Sequence, residues 1–221
     1  MKIWIQGSDE RYNELVKILP DGVDIHHNHP LSGNDLYDLY FDLELDEDPE
    51  RIVQYQSLAG ILVVSAVKMS LSEMIQFNDG DLNTKMIGLN CLPGMLKKNA
   101  IEMSALPFEE DAKALVDKLS KDLGWECKLV ADRVGMVTPR IICMIINEAC
   151  YTLQEGTAEK EDIDQSMRLG TNYPHGPFAW ANKIGIQNVY EVLAALQEDT
   201  QMPRYKICPL LKTHYLNDQA F

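Results

Sequence analysis

The sequence predicts an α/β domain followed by an all-α domain. Two observations carry this. Strand-like and helix-like segments alternate from Lys2 to Val130, and the continuous apolar run GILVVSA at 60–66 is the kind found in a parallel sheet covered on both faces. Beyond Val134 only helical periodicity is left, broken at Gly156 and between Asn172 and Phe178. The change of pattern near Asp132–Gly135 divides the chain into domains 1–132 and 133–221.

In order, Lys2–Gln6 (KIWIQ) reads as a strand ended by Gly7, and Asp9–Leu19 as a helix with Leu15, Val16 and Leu19 on one side. Val23–His27 and Leu36–Leu45 are strand candidates, and Glu50–Leu58 is helical. After the 60–66 strand, Leu71–Phe77 is a short helix, Lys85–Leu89 (KMIGL) a buried strand, and Ala100–Ser104 another. Phe108–Leu123 is an amphipathic helix using Ala112, Leu115, Val116 and Leu119, and Glu126–Val130 is the last strand. This is a doubly wound α/β pattern.

The first helix of the second half is the best specified. Thr138 is its expected N-cap, Pro139 sits where a missing N–H costs nothing, and Gly156 ends it. Ile142, Ile145, Ile146, Ala149, Cys150 and Leu153 recur at helical spacing. Ile141 and Met144 widen the apolar face, which predicts burial between two subunits.

Composition sets the outer bounds. With 221 residues the chain can bury a substantial core. Its net charge is −14, from 34 acidic against 20 basic residues, which argues against nucleic acid as a partner. No apolar run approaches membrane-spanning length and MKIWIQG has no signal-peptide pattern. The five cysteines sit mostly in apolar runs without C-x-x-C spacing, as in a reduced, cytoplasmic protein. Cys143 and Cys150, on the first helix of the second half, read as core or dimer packing. His26, His27 and His29 cluster, with His27 and His29 on one face if the strand continues. They lack further ligands for a metal, so no metal site is expected.

The phrase NEACYTLQEGTAEKEDIDQSMRLGTNYPHGPFAWANKIG carries a resemblance. Asn147-Glu148-Ala149, Glu155-Gly156, Glu161-Asp162-Ile163-Asp164, Met167, Leu169-Gly170, Tyr173-Pro174, Gly176-Pro177-Phe178 and Ile184-Gly185 match the C-terminal helical domain of the 3-hydroxyacyl-CoA dehydrogenases. Arg204-Tyr205-Lys206 with Pro209-Leu210-Leu211-Lys212 resembles the last helical segment of that family, and His175 falls at a variable turn position. The resemblance implies a Rossmann-like first domain that binds NAD. It also implies a dimerising helical second domain of the 6-phosphogluconate dehydrogenase C-terminal type and an acyl-CoA ligand.

Carried over residue by residue, the resemblance shows departures. With Gly7 as first glycine of the dinucleotide fingerprint, Asp9 and Tyr12 occupy the second and third glycine positions. Asp9 would face the pyrophosphate; its other reading is as a cap for the following helix. The family's general-base histidine falls on Asn90, and the glutamate that orients it falls, twelve residues on, at Glu102. Asn90 cannot take a proton from a hydroxyl. It reads either as a hydrogen-bond donor to a thioester or keto oxygen, or as a partner for Glu102 or nearby backbone. A substrate-holding serine falls nearest Ser70, the substrate-contacting asparagine falls on Pro139, and the arginine after it is kept as Arg140. Two function classes follow: a catalytically impaired, acyl-CoA-binding or regulatory dimer, and an NAD-dependent dehydrogenase working with substitute residues. A third is different chemistry in the same cleft.

Overall fold

The central strands, first, third, fourth and fifth in the chain, carry apolar side chains on both faces, and the sheet therefore has a core on each face. A computed structural model describes residues 1–32, 36–78, 80 and 82–221. It divides into two compact units, Met1–Met136 and Val137–Phe221. The first extends four residues beyond Asp132, whose carboxylate accepts the Leu71 and Ser72 backbone N–H groups at 2.8 and 2.9 Å.

The first unit is built on β1 (Lys2–Gln6), β2 (Asp24–His27), β3 (Leu39–Asp42), β4 (Ile61–Ser65), β5 (Lys85–Leu89), β6 (Ile101–Ala105) and β7 (Cys127–Val130). These form one seven-stranded sheet in the order β2-β1-β3-β4-β5-β6-β7. All neighbours are parallel except β5 and β6. That antiparallel step departs from the uniform parallel winding that the alternating pattern suggests.

Ile3, Ile5, Ile61, Val63, Ile87, Leu89 and Met103 pack on one face, against Leu15 of α1 (Asp9–Val16). Leu115, Val116, Leu119 and Leu123 of α3 (Ala112–Leu123) complete that core. Trp4, Tyr40, Leu62, Val64 and Met86 face the other way, against Ile52 and Tyr55 of a 3-10 turn (Pro49–Tyr55) and Leu71 and Met74 of α2 (Leu71–Met74). Local details differ from expectation where side-chain chemistry intervenes. Strand β3 is four residues long rather than ten, because Glu44 N–H folds back onto Asp42 Oδ1 at 3.0 Å. The segment after Asp48 is a 3-10 turn rather than an α-helix. Strand β2 ends at His27, and Asn28 takes φ 52°. His29 therefore leaves the strand and lies edge-on to His26 at 5.6 Å, instead of sharing a face with His27.

The second unit consists of α4 (Thr138–Gln154), α5 (Lys160–Gly170), α6 (Pro177–Ile184), α7 (Ile186–Thr200) and α8 (Pro209–Leu216). Helix α4 packs on α6, α7 and α8. Thr138 is its first residue rather than its cap; Val137 holds the N-cap position. Gly156, at φ 70°, follows its C-cap Glu155, as the sequence suggests.

Three residues of the quoted phrase have structural work. Asn147, 3 % exposed, donates through Nδ2 to the Lys206 carbonyl (2.9 Å) and accepts the Cys208 N–H at Oδ1 (2.8 Å), tying α4 to the segment before α8. Asp164 accepts the Phe178 and Ala179 N–H groups at 2.8 and 3.0 Å and so caps α6. Gly176 is required there, since a Cβ would lie 2.2 Å from Asp164 Cγ.

Candidate functional site

Strand order reverses beside β1, with β2 on one side and β3 on the other, so the crevice past their C-terminal ends is where an open α/β sheet takes a ligand. A pyrophosphate bound there needs uncommitted backbone N–H groups at the start of α1. The two N–H groups just before α1 are committed, although no side chain caps its first turn. Gly7 N–H donates to Asn28 Oδ1 (3.0 Å), while Asn28 Nδ2 and His27 Nε2 bond the Gly7 carbonyl at 3.1 and 3.0 Å. Ser8 N–H donates to Glu44 Oε1 (3.0 Å), so a carboxylate of the chain itself sits where a phosphate oxygen would.

A Cβ on Gly7 would lie 3.0 Å from Leu43 Cβ, so this glycine makes room for the neighbouring segment rather than for a ligand. Ser8 holds the N-cap position and Asp9 does not cap; with Glu10 it adds two carboxylates to the first turn. Tyr12 stacks on His27 with ring centres 3.8 Å apart. Where a dinucleotide fold places an acid for the ribose at the end of its second strand, this chain has His27 and Asn28. The turn departs from the dinucleotide fingerprint at Asp9 and Tyr12 and at the end of β2.

The rest of the crevice is a charged network that the sequence reading missed. Buried Arg11 donates to the Leu43 carbonyl and to Glu47, which also accepts Lys68 Nζ at 2.8 Å. Asp46 Oδ2 accepts the Val67 and Lys68 N–H groups, both at 2.9 Å. Asp42 is fully buried and accepts from Arg51 Nη2 (2.9 Å) and the Tyr55 hydroxyl (2.8 Å). Burial pushes its carboxyl above the usual aspartate range against the pull of Arg51. Buried Cys91 lies beside this network with its thiol pushed up to about 12 by desolvation, which suits packing rather than nucleophilic chemistry. A signal for the network was available in the acidic run 42–50, which reads as solvated only if Arg11, Arg51 and Lys68 are not seen to converge on it.

Asn90 and Glu102 do come together. The β5–β6 register pairs Gly88 with Ser104 and Leu89 with Met103, and Asn90 N–H donates to the Glu102 carbonyl at 3.1 Å. The twelve-residue spacing is thus a cross-strand pair, with both side chains on the face that carries Gly88 and Ser104. Asn90 is 5 % exposed and its Oδ1 has no hydrogen-bond partner; Ser104 Oγ is equally orphaned. Gly88 is what lets this face close, since a Cβ would meet Ser104 Oγ at 2.3 Å and Ala66 Cβ at 2.8 Å.

Ser70 points elsewhere. It caps α2 in a reciprocal box, with Glu73 N–H donating to Ser70 Oγ (3.2 Å) and Ser70 N–H donating to Glu73 Oε2 (2.8 Å). Pro139 is buried in the first turn of α4. Arg140 donates to the Tyr205 hydroxyl at 3.0 Å. Among the described residues no group of three or more His, Cys, Asp or Glu is placed to hold a metal. No helix among them is long and apolar enough to cross a membrane.

The model of the 3-hydroxyacyl-CoA dehydrogenase C-terminal domain matches residues 135–220, the whole breadth of the helical unit. Residues 135–220 are thus similar to the C-terminal domain of the 3-hydroxyacyl-CoA dehydrogenases. Among relatives, the 3-hydroxyadipyl-CoA dehydrogenase of Escherichia coli K12 is 44% identical over 92 residues, covering 42% of this chain and 19% of that protein. A probable 3-hydroxybutyryl-CoA dehydrogenase of Bacillus subtilis is 32% identical over 131 residues, covering 59% and 46%. The matched stretches therefore span less than half the length of either relative.

The likeness in shape reaches further. The (S)-3-hydroxybutyryl-CoA dehydrogenase of Ralstonia eutropha superposes with a TM-score of 0.76 at 21% identity, over 98% of this chain and 93% of that one. M. tuberculosis FadB2 does so at 0.82 and 15%, over 97% and 93%. At those identities it is the fold that is shared: a parallel-dominated sheet domain followed by a helical domain. The family phrase is thereby accounted for by Asn147, Asp164 and Gly176, which hold helices together; chemistry must be judged at the site residues themselves.

Proposed function

We propose that this chain is a catalytically impaired member of its family that acts as an acyl-CoA-binding or regulatory homodimer in the cytoplasm. The observation that carries this reading is the crevice beside β1, where Glu44, Asn28, His27 and Tyr12 occupy the positions a dinucleotide would need. Asn90 supports it, because a carboxamide exchanges no proton near neutral pH. What Asn90 offers is a buried amide on the same face as Glu102, suited to hydrogen-bonding a thioester or keto oxygen. Dimerisation through the C-terminal helices is supported by Ile141, which is 55% exposed on α4. Light scattering at micromolar concentration tests it, and a monomer removes that part of the proposal.

The kept Asn90–Glu102 juxtaposition favours one rival, an NAD-dependent oxidoreductase converting 3-hydroxyacyl-CoA to 3-ketoacyl-CoA with substitute residues such as Glu102 or water as base. The deciding experiment is NADH oxidation with acetoacetyl-CoA by the protein and by Asn90→His. Silence from both is expected, together with no NADH binding in a calorimeter. Turnover by the unaltered protein refutes the impaired reading. Activity gained only by the histidine variant means that cofactor and substrate bind and the base alone is missing, which refutes the account of the crevice.

A further inference from the structure

Helix α8 is held against α4 by polar contacts along one stripe of α4. Just before α8, Cys208 N–H donates to Asn147 Oδ1 at 2.8 Å. Gln154 Oε1 accepts the Leu210 N–H at 3.0 Å and the Cys208 thiol at 3.6 Å. Asn147 and Gln154 lie two turns apart on α4, and Cys150 stands on the same stripe, three residues from one and four from the other. The backbone of Cys208 is therefore fixed at one end of the stripe and its sulfur reaches toward the other, with Cys150 between them. Both cysteines are fully buried.

The two thiols also act on one another. Burial pushes the Cys150 thiol well above its usual range, and the nearby Cys208 pushes it further. Among the described residues no second cysteine acts in this way on Cys91, Cys127 or Cys143. While α8 stays seated the pair is inert, because the thiolate is the reactive form and burial suppresses it. Yet α8 has a single buried residue, Leu211, and a segment so lightly held opens locally at low cost. Opening brings Cys208 to water, and reseating returns it to Cys150.

We propose that Cys150 and Cys208 form a peroxide-sensitive dithiol pair whose disulfide clamps α8 to α4. Once exposed, Cys208 loses its proton and its thiolate attacks hydrogen peroxide; the O–O bond breaks, a sulfenic acid forms and water leaves. On reseating, Cys150 gives up its proton and attacks the sulfenic sulfur; the S–O bond breaks and a second water leaves. Two thiols and one peroxide become one disulfide and two waters, and two electrons pass from sulfur to the peroxide oxygens. The pair lies wholly within Val137–Phe221, so the switch does not depend on the crevice beside β1 or on turnover of any substrate.

The test is to treat the full chain with hydrogen peroxide under native conditions, block the remaining thiols and map the peptides by mass spectrometry, with scanning calorimetry alongside. An intrachain Cys150–Cys208 linkage is expected, and dithiothreitol should remove it. The linkage closes a long loop and should raise the melting temperature by roughly 4–16 °C. That gain should be absent from Cys150→Ala and Cys208→Ala and reversed by the reductant. Oxidation and reversal in the unaltered chain need no substitution, so the test holds even if an alanine variant folds poorly. Thiols that stay reduced, pair in any other way or stop at sulfinic acid overturn the proposal. A Cys150–Cys208 linkage with no rise in melting temperature overturns the clamp.

Discussion

Gly88→Ala probes the closure of the β5–β6 face on which Asn90 and Glu102 lie. The added methyl would sit 2.3 Å from Ser104 Oγ and 2.8 Å from Ala66 Cβ, with Met136 Cε at 3.4 Å. The serine hydroxyl can rotate away, but Ala66 Cβ is fixed to backbone just past β4, where the Ala66 N–H bonds the Leu89 carbonyl at 3.2 Å, and can retreat only if that backbone does. Overpacking of this kind costs about 1–3 kcal/mol. At about 2–4 °C per kcal/mol for a chain of this size, the melting temperature should fall by about 2–12 °C in scanning calorimetry. Two companions apportion the loss. Ser104→Ala alone deletes an orphaned buried hydroxyl and should be neutral or slightly stabilising. Combined with Gly88→Ala it should restore part of the loss but not all, since the Ala66 contact stays. Gly170→Ala, at a helix end with open space where its Cβ would go, should cost nothing and controls for the glycine effect itself. A Gly88→Ala protein melting within about 1 °C of the wild type would refute the packing argument and the register that places Asn90 beside Glu102.

Further outcomes follow from the charged network and the thiols. Tyr55→Phe removes the 2.8 Å donor to fully buried Asp42 and should cost about 1.5–3 kcal/mol in urea denaturation at neutral pH. A loss below about 0.5 kcal/mol would mean that the carboxyl is satisfied without it. Burial alone would raise Glu47, but Arg11 and Lys68 hold it below the usual range. Its stabilising share is therefore present above the ordinary glutamate pKa and is lost as pH falls through the depressed value. Denaturation measured from pH 7 downward should accordingly be shallower in Glu47→Gln than in the wild type, and parallel curves would count against the ion pairs. Thiol titration of the native protein at pH 8 should report no more than partly buried Cys127, because desolvation pushes Cys91 and Cys143 to about 12. All five thiols should appear on unfolding.

How much of this was legible in the sequence depends on what fixes each feature. Apolar runs bounded by turn residues are set locally, so β5 at Lys85–Leu89 and α4 up to Gly156 can be read directly. Features fixed by a distant side chain cannot. Asp9 looks like a cap because nothing near it in sequence reveals that Glu44 will take the Ser8 N–H. Leu36–Leu45 looks like one long strand because its alternation continues past the point where Asp42 turns inward to Arg51. Asn90 and Glu102 are linked in the sequence only by the family resemblance, and the antiparallel register explains its twelve-residue spacing. Ser70 falls nearest the family's substrate-holding serine, while Glu73, three residues later, completes a capping box visible in the sequence.

Among the described residues, strand β2 ends the sheet on one side, with β1 as its only strand neighbour. An unpaired edge is a template on which another chain can add itself, and proteins that leave one open guard it. The guards here are brevity and polarity: four residues, Asp24-Ile25-His26-His27, with Ile25 the only apolar one. Replacing Asp24 and His26 by valine would convert the edge to Val-Ile-Val, a sticky ribbon at the rim of a correctly folded molecule. Such a protein would keep its melting temperature and lose its solubility, because the damage lies in what the edge recruits rather than in what the core holds.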